Sequence, residues 1–343
     1  SVAMGKPSYA PMALSRMSYD AAAGFTAREG VFAGEFLPQE TDIHPPYYVA
    51  TYTEQEQQGN KAWLLHTIED AKGFAENVGG EFVYDLIRAR RAPGRAEITL
   101  AAGQEVVLPV LGVQGFQRLH VKTDSLEKDT PLSPATPNFF RLSESAALSS
   151  DRDFIVGTPI RLGHAPHRCP LVLNILVDAL PWQILGADFA AHMPRTARFF
   201  EKGLTFHQTF STAEYTYPSL AAIETGMYAQ TSRIFNDRVV AHLAQDRITL
   251  SERMKELGYG TVSLMGDGNG IYNGVTRGYD RLISTVWNQP SGIGAERAIH
   301  HIEAFGEADL FTFLHFSDIH PWDAMGFNFH TAVETHLPLD QRL

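Results

Sequence analysis

Asp178 closes the apolar run LVLNILVDAL, and Thr216 stands two residues ahead of Pro218 in TYPSL. Asp267 and Asn269 follow the run that ends at Met265, and Asp318 and His320 follow FTFLHF. A threonine hydroxyl is a poor nucleophile near neutral pH, and a bound metal ion is one standard way to activate it. Asp178 offers a hard anionic oxygen to such an ion. Proline suits the first turn of a helix, so Pro218 predicts a helix start whose N–H groups and positive dipole end favour an anion such as phosphate or sulfate. His320 has the chemistry to donate a hydrogen bond to that anion or to protonate a departing alkoxide. Cleavage of an anionic ester fits the set. Each member also has a plainer reading: Asp178 and Asp267 as turn formers, Thr216 as a capping hydroxyl, His320 as a loop residue ahead of Pro321.

These groups meet only if the elements carrying them share one edge of a sheet. From Leu171 onward, apolar runs alternate with helical patterns. LVLNILV, GTVSLMG and DLFTFLHF read as strands, the first as a strand buried on both faces. Residues 194–202, the stretch from Pro218, TLSERMKELG and ERAIHHIEAFG read as helices, TLSERMKELG with Thr249 or Ser251 as its cap, and LTFHQTF as a strand or extended segment. Strands alternating with helices predict an α/β domain over residues 166–343, with a largely parallel sheet flanked by helices. In such sheets ligands sit beyond the carboxyl ends of the strands, where Asp178, Thr216, Asp267, Asn269, Asp318 and His320 are expected.

Residues 1–165 read differently, as a mixed α+β, strand-rich accessory domain. Residues 61–91 have helical spacing interrupted by Gly79 and Gly80. AEITLAAGQEVVLPVLG and FQRLHVKTD predict short antiparallel strands, residues 123–151 a long connection, and DFIVGTPIRLG a last strand. The cluster Arg88, Arg90, Arg91 and Arg95 reads as a solvated helix end, and His300 and His301 as surface or packing residues of their helix.

With 343 residues the chain is long enough for two domains, and 44% apolar residues supply ample core. Its 28 Lys+Arg against 39 Asp+Glu leave a net charge of −11, which makes nucleic acid and anionic membranes poor partners. A single cysteine, Cys169, excludes an intramolecular disulfide and a cysteine metal cluster. No apolar run reaches the length of about 18 residues that a membrane-spanning helix needs, and residues 1–17 lack the apolar core of a secretory signal. The compartment stays open.

The stretch LNILVDALPWQILG through MPRTARFFEKGLTFHQTFSTAEYTYPSLAAIETGMYAQ resembles the sulfatase family of the alkaline phosphatase superfamily. There a strand ending in Asp precedes a nucleophile-x-Pro-Ser motif ahead of Thr-Gly. TLSERMKELGYGTVSLMGDGNG, GYDRL and LFTFLHFSDIHPW resemble later segments of the family in the same order. The resemblance implies an alkaline-phosphatase-like fold, incomplete at the carboxyl end. It also implies a nucleophile at Thr216, a divalent metal ion (zinc, calcium or manganese) held by Asp178 and Thr216, and substrate contact by His320.

Departures bear on the substrate. Sulfatases oxidise a Cys or Ser nucleophile to formylglycine, which a threonine cannot become. Leu220 replaces the Arg that follows Pro-Ser in arylsulfatases, Ser232 and Arg233 replace a His-Gly pair, and no Lys-x-His follows Met265. The later Ser-Asp-His-Gly segment, which completes the family's metal site, does not occur. A catalytic zinc usually has three protein ligands, and Asp178 and Thr216 supply two. The expectation is a front part of a longer polypeptide, or a chain without tight metal binding. The expected activity is metal-dependent hydrolysis of sulfate or phosphate esters. The alternatives are a phosphoryl-alcohol transferase of the same superfamily and a non-catalytic module for an anionic glycan or lipid headgroup.

Overall fold

The computed structural model describes residues 10–20, 24–28, 47–53, 82–112, 117–132, 137–180, 186–206, 208–214, 216–235, 243–244, 246–266, 275–285 and 295–317. Strands β1 (Ala10–Asp20), β2 (Gly24–Arg28) and β3 (Tyr47–Thr53) form an antiparallel group that joins β4 (Phe82–Ala92). Next come β5 (Arg95–Ile98), β6 (Glu105–Gly112), β7 (Gln117–Lys122), β8 (Glu127–Leu132), β9 (Asn138–Leu142), β10 (Ala146–Ser149), β11 (Phe154–Gly157) and β12 (Ile160–Leu162). They divide into a small sheet of order β5-β10-β7-β8 and a run β12-β6-β11-β4 within a larger sheet. Alternating residues fill the space between the two: Val106, Leu108 and Val110 of β6 meet Leu119 and Val121 of β7 and Phe154 and Val156 of β11. Period-two burial of this kind marks sheets with one face inward.

Three expectations for this part are corrected. Residues 82–91 are strand, not helix, because β4 is paired on both sides, with β3 and β15 along one stretch and β11 along another. Arg88 and its neighbours therefore lie on strands, and Arg88 is buried instead of solvated. Residues 123–151 are not a long connection, since they hold β8, β9 and β10. Pro131 misleads there: it sits on β8, the edge of its sheet, where a missing N–H costs no ladder bond.

Beyond β13 (Leu171–Val177) lie helices α1 (Phe189–His192), α2 (Pro194–Phe200), α3 (Thr216–Thr225), α4 (Ala229–Ser232) and α5 (Leu250–Glu256), then β14 (Gly260–Gly266), β15 (Arg281–Thr285), α6 (Ala295–Ala304) and β16 (Leu310–Phe316). Strands β15, β14, β16 and β13 are mutually parallel in that order. On the other side of β15, β4 pairs antiparallel. The sheet is thus mixed, with a parallel part flanked by helices, and its hydrogen bonding runs across the boundary at residue 165. Arg88 Nε, on β4, donates to Tyr279 O at 3.1 Å across that line.

Ala298 of α6 covers Val262, Leu264, Ile283, Leu314 and Phe316 on one face. Residues of opposite parity on β16, Phe311, Phe313 and His315, face away from α6. Strand β13 ends the sheet and is not buried on both faces: Leu171, Leu173 and Ile175 are exposed, because no described element covers them. The stretch LTFHQTF shows no strand among its described residues. Helix α5 carries a capping box between Thr249 and Glu252, and α3 starts two residues earlier than expected, at Thr216.

Candidate active site

Strand β16 lies between β13 and β14, so the carboxyl ends of β13 and β16 are neighbours: Leu176 pairs with His315 and Val177 with Phe316. The ladder continues one residue further, Asp178 N–H donating to Phe316 O at 2.8 Å. Ala179 then turns the chain off the sheet with φ of 57°, a left-handed conformation rare for a residue with a Cβ. Its N–H donates to Asp178 Oδ1 at 2.8 Å. Such backbone costs about 1–3 kcal/mol and tends to occur at functional sites.

Among the described residues, the other carboxylate oxygen, Asp178 Oδ2, faces Thr216 and His315. Thr216 Oγ1 donates to it at 3.1 Å, and His315 Nε2 lies 3.2 Å away. Thr216 is the first residue of α3, so its hydroxyl stands at the helix end whose N–H groups lack intrahelical acceptors. Ser219 in that first turn fastens the preceding loop: its Oγ donates to Ala213 O at 3.2 Å and lies 3.2 Å from Ser211 Oγ. At the far end Gly226, with φ of 69°, terminates the helix by donating to Ala222 O.

The structure therefore brings Asp178 and Thr216 together across 38 positions of sequence. His320, Asp318, Asp267 and Asn269 lie outside the described residues. His315 escaped the sequence reading because FTFLHF reads as plain buried strand. The available signal was an imidazole alone among apolar residues one position from a strand end. It is fully buried, and its Nδ1 has no hydrogen-bond partner among the described residues. The bond to Asp178 is thus what orients the ring.

Two oxygens that each bind one cation at about 2.1 Å, at 90–110° to each other, stand about 3.0–3.4 Å apart. Asp178 Oδ2 and Thr216 Oγ1, at 3.1 Å, fall in that range. The donor chemistry fits half of a metal site. Among the described residues no group of three or more His, Cys, Asp or Glu side chains could hold a metal ion.

Residues 170–324 match the family model Sulfatase, and this match supports the sulfatase family of the alkaline phosphatase superfamily for that stretch. Members of that family are hydrolases acting on esters. No curated protein matches the chain. Among solved structures, an ethanolamine utilization protein Q from Salmonella typhimurium is 12% identical, with 44% of this chain and 98% of that one covered, at a TM-score of 0.16. A family two carbohydrate esterase from Clostridium thermocellum is 13% identical, with 74% and 91% covered, at 0.17. Likeness at such scores carries no weight for fold or chemistry.

Proposed function

We propose that the chain is a metal-dependent hydrolase of sulfate or phosphate esters with Thr216 as its nucleophile. The observation that supports this is the 3.1 Å hydrogen bond from Thr216 Oγ1 to Asp178 Oδ2 at the amino end of α3. Asp178 and Thr216 would hold the divalent cation, which when bound supplies Lewis-acid stabilisation and lowers the pKa of the hydroxyl. The amino end of α3 draws the anionic group of the ester toward Thr216. Asp178 Oδ2 receives the hydroxyl hydrogen bond and aims the Oγ1 lone pair. The activated hydroxyl gives up its proton to solvent, and attack forms the bond from Oγ1 to phosphorus or sulfur as the bond to the alkoxide breaks; the alkoxide leaves with a proton from His320, the role the family resemblance implies, and water then attacks the same phosphorus or sulfur, breaking the bond to Oγ1 and releasing phosphate, its monoester or sulfate. Because threonine cannot become formylglycine, the hydroxyl itself must attack, which favours phosphate esters and diesters over sulfate monoesters.

With nitrophenyl sulfate and bis-nitrophenyl phosphate as substrates of the full chain, Thr216→Ala should abolish turnover while Thr216→Ser retains part of it. Turnover that survives in Thr216→Ala removes this residue from the chemistry.

A further inference from the structure

Glu224 is a buried carboxylate on α3, two turns beyond Thr216. Burying a carboxylate is costly unless its lone pairs are met. Here Tyr279 Oη donates to Oε1 at 2.6 Å, and Ser251 donates to Oε2 twice, from its backbone N–H at 3.1 Å and from Oγ at 3.0 Å. Burial pushes the Glu224 carboxyl pKa up, while the bonds from Tyr279 and Ser251 pull it down.

The partners explain what the carboxylate connects. Ser251 is the second residue of α5, so its N–H has no acceptor within its own helix. Glu224 supplies that acceptor from a neighbouring helix. Tyr279 stacks on Phe311, with ring centroids 6.2 Å apart and planes at 18°. Phe311 lies on β16, the strand that carries His315. Gly278, beside Tyr279, lies so close to the first turn of α5 that a Cβ there would overlap the backbone at Ser251 and Glu252. The helix bearing Thr216 is thereby tied to α5 and to the strand bearing the third member of the site.

Stability alone gives little reason for this arrangement, since an apolar side chain of similar volume at a buried polar position is often as stabilising. A carboxylate with directional bonds fixes rotation and depth, which a leucine does not.

We propose that Glu224 is a positioning residue whose bonds to Tyr279 and Ser251 set the rotation and depth of α3, so that Thr216 Oγ1 meets Asp178 Oδ2. The proposal rests on the reading of Thr216 as nucleophile. Glu224→Leu keeps the volume and loses the acceptors; Glu224→Gln keeps one acceptor oxygen. In the full chain, Glu224→Leu should lower kcat between about tenfold and a hundredfold with KM unchanged, as small misplacements of a reacting group do. Amide hydrogen exchange over residues 220–226 should quicken by about tenfold or more, reporting local opening of α3. Glu224→Gln should recover part of both. A folded Glu224→Leu variant that matches the wild type in kcat and in exchange overturns the proposal. If Glu224→Leu does not fold, Tyr279→Phe, which removes one donor, is judged by the same two readouts. A wild-type chain that turns over neither ester counts against Thr216 as nucleophile alone, and the exchange comparison then decides whether Glu224 braces α3.

Discussion

Asp178 Oδ2 is shared between Thr216 Oγ1 and His315 Nε2, and the two donors have different consequences. Thr216 is the group assigned to attack; His315 holds the carboxylate that aims it. Groups that orient an active carboxylate in this way usually contribute about 10–100-fold to activity or metal affinity. His315→Gln retains an N–H donor and should keep most of the turnover. His315→Leu should lose about 10–100-fold with the fold intact by circular dichroism. Equal activity in both variants would show that the imidazole only fills space. Asp178 and Thr216 stood out in the sequence because each lies beside a strong element signal, Asp178 at the end of an apolar run and Thr216 just ahead of a helix-starting Pro-Ser. His315 and Glu224 did not, since each sits inside an element and gains its meaning from tertiary neighbours.

At the scale of elements, the later half reads well. Thr249 caps α5, and β14, α6 and β16 fall where periodicity and glycine punctuation put them. The first half reads poorly, because β4 and β8 through β10 are strands by virtue of their partners, and spacing such as that of Phe82, Leu86 and Ile87 suits a helix equally well. Helix α6 carries a testable pH response. His301 is buried against Phe305, and Arg281 Nη1 lies 2.8 Å from its Nδ1. Burial, followed by the Arg281 charge, holds its pKa well below 6.5. The unfolded chain takes up a proton there that the folded chain does not. Stability contributed by this residue is therefore lost as pH falls below about 6.5, at up to about 1.4 kcal/mol per pH unit. His301→Gln retains an acceptor for Arg281 and cannot titrate. Denaturant unfolding between about pH 7 and pH 5 should show a shallower loss in His301→Gln than in the wild type; identical slopes would refute it.

At the scale of the whole molecule, one continuous sheet joins a filled β-sandwich to a parallel α/β part through β4 and β15, and the proposed site sits at the carboxyl edge of the latter. The sequence suggests two separate characters, divided near residue 165. Hydrogen bonding across that division is invisible to local patterns because β4 and β15 are nearly 200 residues apart. The net charge of −11 disfavours anionic partners at long range, so on the proposed reading an anionic ester is drawn in locally, by the amino end of α3 and by the cation that Asp178 and Thr216 would hold. The claim that this chain cleaves such esters through Thr216 is tested most directly by acid quench during turnover of bis-nitrophenyl phosphate or nitrophenyl sulfate, followed by peptide mass mapping. The account predicts a nitrophenyl-phosphoryl adduct from the diester, or a sulfo adduct from the sulfate ester, on the peptide containing Thr216, absent in Asp178→Ala. Steady turnover with no adduct on that threonine, or with the adduct on another residue, would contradict it.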